Sequence, residues 1–297
     1  MNDFQRYLAE EFAEDYEEGR ISRREALRLI VSVTGSLLVA NSILAGCTPA
    51  VVETPMFTFT PRPTSTDATQ SPPATPTAQP TATAPVDTAS LTPAPSAGVT
   101  VAPDDPAIEA GPVEVPTDGV SLQVYQARPR SGGTRPVVLV CHENRGLTAY
   151  IMDVTRRLAK AGYVALAVDL LSRLGGTAVV GSDQVPGALG DMPPEQFVDD
   201  FLAGWRYLQG QSFAQASRVG MVGFCFGGGV TWRVATHMPE LRAAVPFYGP
   251  HPPVEDVPKI QAAVLALYGG LDQRINQGIS AIEEAMRKNN KRYEKVI

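Results

Sequence analysis

Arg218-Val219-Gly220-Met221-Val222-Gly223-Phe224-Cys225-Phe226-Gly227-Gly228-Gly229 is an apolar strand that breaks into a glycine-flanked turn with a cysteine at its tip. The spacing Gly223-x-Cys225-x-Gly227 is that of a nucleophile elbow, in which a sharp strand-to-helix turn holds the middle side chain exposed in a strained conformation. Small residues two before and two after the cysteine leave room for the turn. A helix starting near Phe226 offers its positive end to a thiolate and to an oxyanion formed beside it. The alternative is a small core cysteine at a strand edge followed by a glycine loop.

The flanking pattern supports the elbow. Residues 137–141 and 163–169 are apolar on both faces, as central parallel strands require, and residues 113–115 and 120–126 read as edge strands. Helical spacing runs through 150–161, 195–208, 226–236 and 275–288, alternating with strands at 219–224, 243–247, 263–268 and 292–297. This alternation predicts an α/β fold: a mostly parallel sheet with helices on both faces, its last strand cut short. Reactive groups then belong at the C-terminal ends of the strands. That rule collects His142-Glu143-Asn144-Arg145-Gly146, Cys225, His251, and Gly269-Gly270-Leu271-Asp272 on one edge.

Composition divides the rest. Residues 48–105 are dominated by Pro, Thr, Ala and Ser, with too few large apolar side chains to offset the entropy of folding, and read as a disordered tether ahead of a domain at 106–297. Residues 1–47 read as an export signal. Ser22-Arg23-Arg24-Glu25 precedes an apolar run over 29–45 that closes on Leu44-Ala45-Gly46-Cys47. The segment resembles a twin-arginine signal joined to a lipoprotein box, with Ala26 where such signals carry Phe. The resemblance implies cleavage before Cys47, lipidation of its thiol and anchoring at an extracytoplasmic membrane surface. An uncleaved anchor helix is the alternative. A formal charge of −6 gives no sign of a nucleic-acid surface. Cys141 reads as core, and a Cys141–Cys225 bridge would remove the nucleophile.

The paired stretches Cys-His-Glu-Asn-Arg-Gly at 141–146 and Gly-Phe-Cys-Phe-Gly-Gly at 223–228 resemble the dienelactone hydrolases, a branch of the α/β-hydrolase superfamily. The resemblance covers about residue 110 onward and implies an α/β-hydrolase fold acting on small carboxylic esters or lactones. It matches Cys225 to the nucleophile and Asp272 to the acid. Glu143 matches a glutamate that interacts with the resting cysteine, and the backbone amides of Phe226 and Asn144 match the oxyanion donors. Glu143 read on its own is a solvated loop carboxylate or a salt-bridge partner of Arg145, and Asp272 is a turn-former.

The family also uses a histidine after its final strand, and no histidine follows Asp272. The expectation is therefore a chain truncated before its catalytic histidine. His251 is the candidate replacement, in the wrong chain order; His237 reads as a helix C-cap and His142 as a packing or loop-orienting residue. Their spacing with Glu143 is not His-Glu-x-x-His, so neither a metal nor a cofactor is expected. The glycine-rich loop at 171–194 is a candidate cover for the cleft. Arg173 within it, and Arg145, are candidate substrate-carboxylate partners, with a solvated arginine as the alternative. Trp205 and Trp232 read as core. The competing function is a catalytically inactive, surface-tethered binding domain.

Overall fold

A computed structural model describes residues 1–47, 100–117 and 119–297. The expected tether therefore lies, from 48 to 99, outside the described residues.

Residues 1–47 form three helices: α1 (Asp3–Glu17), α2 (Arg23–Thr34) and α3 (Leu37–Ala45). Asn2 caps α1 in a capping box with Gln5, and Gly35 ends α2 in the left-handed conformation, so the apolar run at 29–45 is two short helices. No described helix is long and apolar enough to cross a membrane. Phe4, Tyr7, Leu8 and Phe12 recur at helical spacing on α1 and are buried, as are Ile30 and Val33 of α2. Burying each large side chain is worth about 1.5–3 kcal/mol.

The remainder follows as β1 (Ile108–Thr117), β2 (Val120–Pro129), β3 (Arg135–Cys141), α4 (Ala149–Lys160), β4 (Val164–Val168), α5 (Thr177–Val180), α6 (Val185–Asp191), α7 (Pro194–Gln209), β5 (Ala214–Phe224), α8 (Phe226–His237), β6 (Ala243–Phe247), β7 (Ala263–Leu267), α9 (Gln273–Asn276), α10 (Ile279–Lys288) and β8 (Tyr293–Val296). One sheet of the described residues has the order β1-β2-β4-β3-β5-β6-β7-β8. β1 and β2 are antiparallel to their neighbours, and the pairs from β4 through β8 are parallel. This is the α/β-hydrolase architecture, with helices on both faces. β4 is buried throughout, as its unbroken apolar sequence requires.

From β3 the chain turns to β4 on one side, then crosses to β5 on the other. The strand order reverses between β3 and β5, and the crevice outside their C-terminal ends is the topological switch point where such sheets bind ligands. Cys141 pairs in register with Gly223, so the loops after both strands open side by side.

α4 packs on one face of the sheet with Val140, Ala167 and Phe224; α7 and α8 pack on the other over Leu139, Leu166 and Met221. α1 joins the second layer. Phe4 meets Phe197 of α7 and Phe226 of α8 at centroid distances of 5.3 and 5.0 Å, and the latter two meet at 5.4 Å. The N-terminal helices are thus part of the core that carries the elbow.

Two segments differ from the sequence expectation. The loop at 171–194 contains α5 and α6, and α6 packs its Gly187 against the backbone of Ser32 in α2. The helix expected over 275–288 is broken at Gly278 into α9 and α10, where a Cβ would press on the His251 ring.

Candidate active site

Cys225 stands between β5 and α8 at φ 56° and ψ −123°, a conformation rare for a residue with a side chain. Its N–H donates to the Phe247 carbonyl at 3.0 Å, and its carbonyl accepts from Gly228 at 2.8 Å. The flanking glycines are sterically required. A Cβ at Gly223 would run into the Gly227 carbonyl, and one at Gly227 into the carbonyls of His142 and Cys141. The elbow is therefore wedged between the ends of β3 and β6.

Cys225 is 8% exposed and lines a cleft of about 350 Å³ together with Tyr7, Glu11, Tyr248, Asp272 and Arg274. A larger apolar groove of about 700 Å³ along β3, β5 and β6 has no acid, thiol or histidine among its lining residues, so the chemistry belongs to the smaller cleft. The Cys225 thiol donates to Glu11 Oε1 at 3.2 Å and Oε2 at 3.5 Å, and Tyr7 Oη donates to the sulfur at 3.4 Å. Burial, then the charge of Glu11, pushes the thiol well above its usual range, while the hydroxyl of Tyr7 and the amide of Phe226 pull it back. Burial likewise raises the Glu11 carboxyl, opposed by its hydrogen bonds to Cys225 and Tyr7 and by the charge of Arg274. Arg274 ties the helix down. Its guanidinium lies 4.5 Å from the Tyr7 ring centroid and donates to Glu14 at 3.1 Å.

The other site residues fall around this cluster. Phe226 begins α8 against the sulfur, and Asn144 is buried on the loop after β3. That loop is pinned from outside: Thr177 donates to Asp169 at 2.8 Å and accepts from the Leu147 amide at 2.8 Å. Glu143 is half-buried, its carboxyl raised by burial against the lowering effect of Arg145, and its charge helps to raise the Tyr248 hydroxyl. The described hydrogen bonds of the sulfur run to Tyr7 and Glu11. His142 is fully buried with Nδ1 2.6 Å from the Glu143 carbonyl and Nε2 accepting from Leu170, so it orients the loop as a neutral ring. His237 Nδ1 lies 2.9 Å from the Arg233 carbonyl at the end of α8.

Arg173 is turned away from the cleft. It pairs with the buried Asp200 at 2.8 Å and borders a separate groove against α6. Arg145 is exposed beside Glu143. Cys47, Cys141 and Cys225 are all free thiols, and Cys141 is fully buried.

The expected truncation ahead of a catalytic-type histidine is corrected by the structure. His251, on the loop after β6, stands on the same sheet edge as Cys225 and Asp272, and the Asp272 carboxylate opposes the burial that lowers the ring to about 4. The chain order here is Cys, His, Asp, the order in which the sequence makes His251 a candidate replacement. Its Nε2 lies 2.8 Å from Tyr268 Oη, which in turn is 3.1 Å from Tyr293 Oη. Asp272 also caps α9, accepting from Ile275 at 2.9 Å.

Tyr7, Glu11 and Arg274 were not legible as site residues from the motifs. The one sequence signal is the i, i+4, i+7 spacing of Tyr7, Glu11 and Glu14, which puts them on one face of α1.

A strained cysteine elbow at the switch point of this sheet defines an α/β-hydrolase with a thiol nucleophile. The profile of the dienelactone hydrolase family matches residues 122–297. The chain is 36% identical over 201 residues to a protein of Methylorubrum extorquens described as "Putative carboxymethylenebutenolidase", covering 63% of this chain and 69% of that one. It is similar to a crystal structure from Klebsiella pneumoniae described as "Putative Dienelactone Hydrolase", with 31% identity, a TM-score of 0.60, and coverage of 64% of this chain and 85% of that one. A dienelactone hydrolase-like promiscuous phosphotriesterase, P91, from metagenomic libraries matches at 26% identity and a TM-score of 0.56 over 64% of this chain and 81% of that one. The chain belongs to the dienelactone hydrolase family.

Proposed function

We propose that the domain hydrolyses small carboxylic esters or lactones through an acyl-enzyme formed on Cys225. The observation that carries this is the elbow: a thiol at φ 56°, at the head of α8, opening on a cleft at the switch point of the sheet. Attack of the sulfur on an ester carbonyl moves negative charge onto the carbonyl oxygen. The amides of Phe226, which opens α8, and of Asn144, on the adjoining loop after β3, are the donors this reading assigns to that oxygen. Family membership and the carboxymethylenebutenolidase relatives support a lactone or compact ester over an extended chain. Turnover of p-nitrophenyl acetate and of a simple enol lactone by the full chain and by Cys225→Ala tests it. Hydrolysis abolished by the substitution, with folding retained, is expected; equal rates would contradict the assignment and favour a binding domain.

A second reading concerns residues 1–47 as an export signal cleaved before a lipidated Cys47 at a membrane surface. Arg23-Arg24, the apolar run and Leu44-Ala45-Gly46-Cys47 support it. It competes with the burial of Phe4, Tyr7, Leu8 and Phe12, which supports a retained α1. Intact mass of the protein recovered from membrane and soluble fractions separates them: a lipid-bearing Cys47 terminus means cleavage, an intact Met1 region means retention.

A further inference from the structure

We propose that Glu11, on the N-terminal helix, is the proton-transfer residue for Cys225. The inference rests on the thiol hydrolase reading with α1 retained in the working protein, and places the acid–base group outside residues 122–297, the part shared with the family.

Among the described residues, the hydrogen-bond partners of the Cys225 sulfur are Tyr7 and Glu11. Glu11 Oε1 lies 3.2 Å from the sulfur, at the upper edge of the range for direct proton transfer, with Oε2 behind it at 3.5 Å. The described bond of the His251 ring runs from Nε2 to Tyr268 Oη, and none runs to the sulfur. The helix bearing Glu11 is fixed by three independent contacts: the Phe4 aromatic cluster, the Arg274–Glu14 ion pair, and Asn2 Nδ2 donating to Gly190 at 3.2 Å. A base held this way meets the positional demand of acid–base catalysis. The raised carboxyl brings its proton affinity closer to that of the groups it must exchange with.

The steps balance. The Glu11 carboxylate takes the thiol proton as the sulfur attacks the ester carbonyl; a carbon–sulfur bond forms and the carbonyl π pair moves to oxygen. Collapse breaks the carbon–oxygen bond to the leaving group, which takes the proton from Glu11 and departs as alcohol. Water then adds to the thioester, giving a proton to Glu11, and the carbon–sulfur bond breaks. The thiolate recovers that proton and the carboxylic acid leaves. Tyr7, donating to the sulfur, favours the thiolate at each stage.

Rapid-mixing measurement of the acylation burst with p-nitrophenyl acetate tests this on the full chain. Glu11→Gln is expected to slow acylation about 10²- to 10⁴-fold, the usual range for a general base. Glu11→Ala should fall as far and recover partly with added formate, which a merely structural role would not produce. A wild-type burst in Glu11→Gln overturns the assignment of Glu11, and if Cys225→Ala is silent in the same assay the thiol reading survives that loss. A burst from Cys225→Ala overturns both. Should Glu11→Gln not fold, Glu11→Asp, which keeps the charge and withdraws it from the sulfur, decides: slowed acylation in a folded protein supports the proposal, and an unchanged rate overturns it.

Discussion

Glu11 accepts the thiol proton of Cys225 at 3.2 Å, although 214 residues separate them in the chain. The contact joins two parts of the sequence that composition sets apart: an N-terminal segment shaped like a leader, and a hydrolase elbow. It also sets the resting state of the nucleophile, because burial and the charge of Glu11 both disfavour the thiolate and keep the proton on sulfur.

The pH dependence of stability follows from the same contact. Burial raises the Glu11 carboxyl above its usual 4.5, so the fold favours the protonated form. Such a group contributes stability that is fully present below the unfolded pKa and lost as pH rises through the folded one. Glu11→Gln is therefore expected to melt above the wild type at about pH 8, with the difference vanishing near pH 4. Thermal melts across that range check it; a lower melting temperature for the variant at high pH would mean that pairing with Arg274 and the sulfur outweighs burial.

Arg173 is expected to act on stability and not on substrate. Asp200 is raised by burial and held down by Arg173, so Arg173→Ala leaves a buried carboxylate short of its charged partner. A loss of about 1.5–3 kcal/mol follows from removing a hydrogen bond to a charged group. Chemical denaturation together with KM for an anionic ester checks this. Unchanged stability with a raised KM would return Arg173 to the cleft.

Gly227→Ala is expected to damage both fold and rate. The added methyl meets the carbonyls of Cys141 and His142, which are backbone and cannot step aside as a flexible side chain would. Overpacking of this kind costs about 1–3 kcal/mol. Calorimetry should show a lowered melting temperature and rapid mixing a weakened burst, whereas wild-type behaviour in both would show that the elbow is looser than the wedged geometry described.

The central strands and the elbow were legible because β3 and β4 are built on runs apolar on both faces and the glycines around Cys225 admit few other conformations. α6 was not, since Pro186, Gly187 and Gly190 argue for a loop; it forms where Gly187 lies against α2, a tertiary effect no local pattern contains. Glu11 was obscured for a related reason. Arg23-Arg24 and the apolar run drew residues 1–47 into one processing signal, while the amphipathic face of α1 finds its meaning only against Phe197, Phe226 and the sulfur. His251 was legible only as a replacement out of order, because it follows β6 and precedes Asp272, where the resembled family does not place its histidine.

Mass spectrometry of the full-length protein quenched during turnover of p-nitrophenyl acetate tests the thiol hydrolase account most directly. The expected result is one acetyl group on the peptide containing Cys225, absent from Cys225→Ala and accumulating more slowly in Glu11→Gln. Turnover with no acyl adduct at Cys225, or an adduct on another residue that persists in Cys225→Ala, would contradict it.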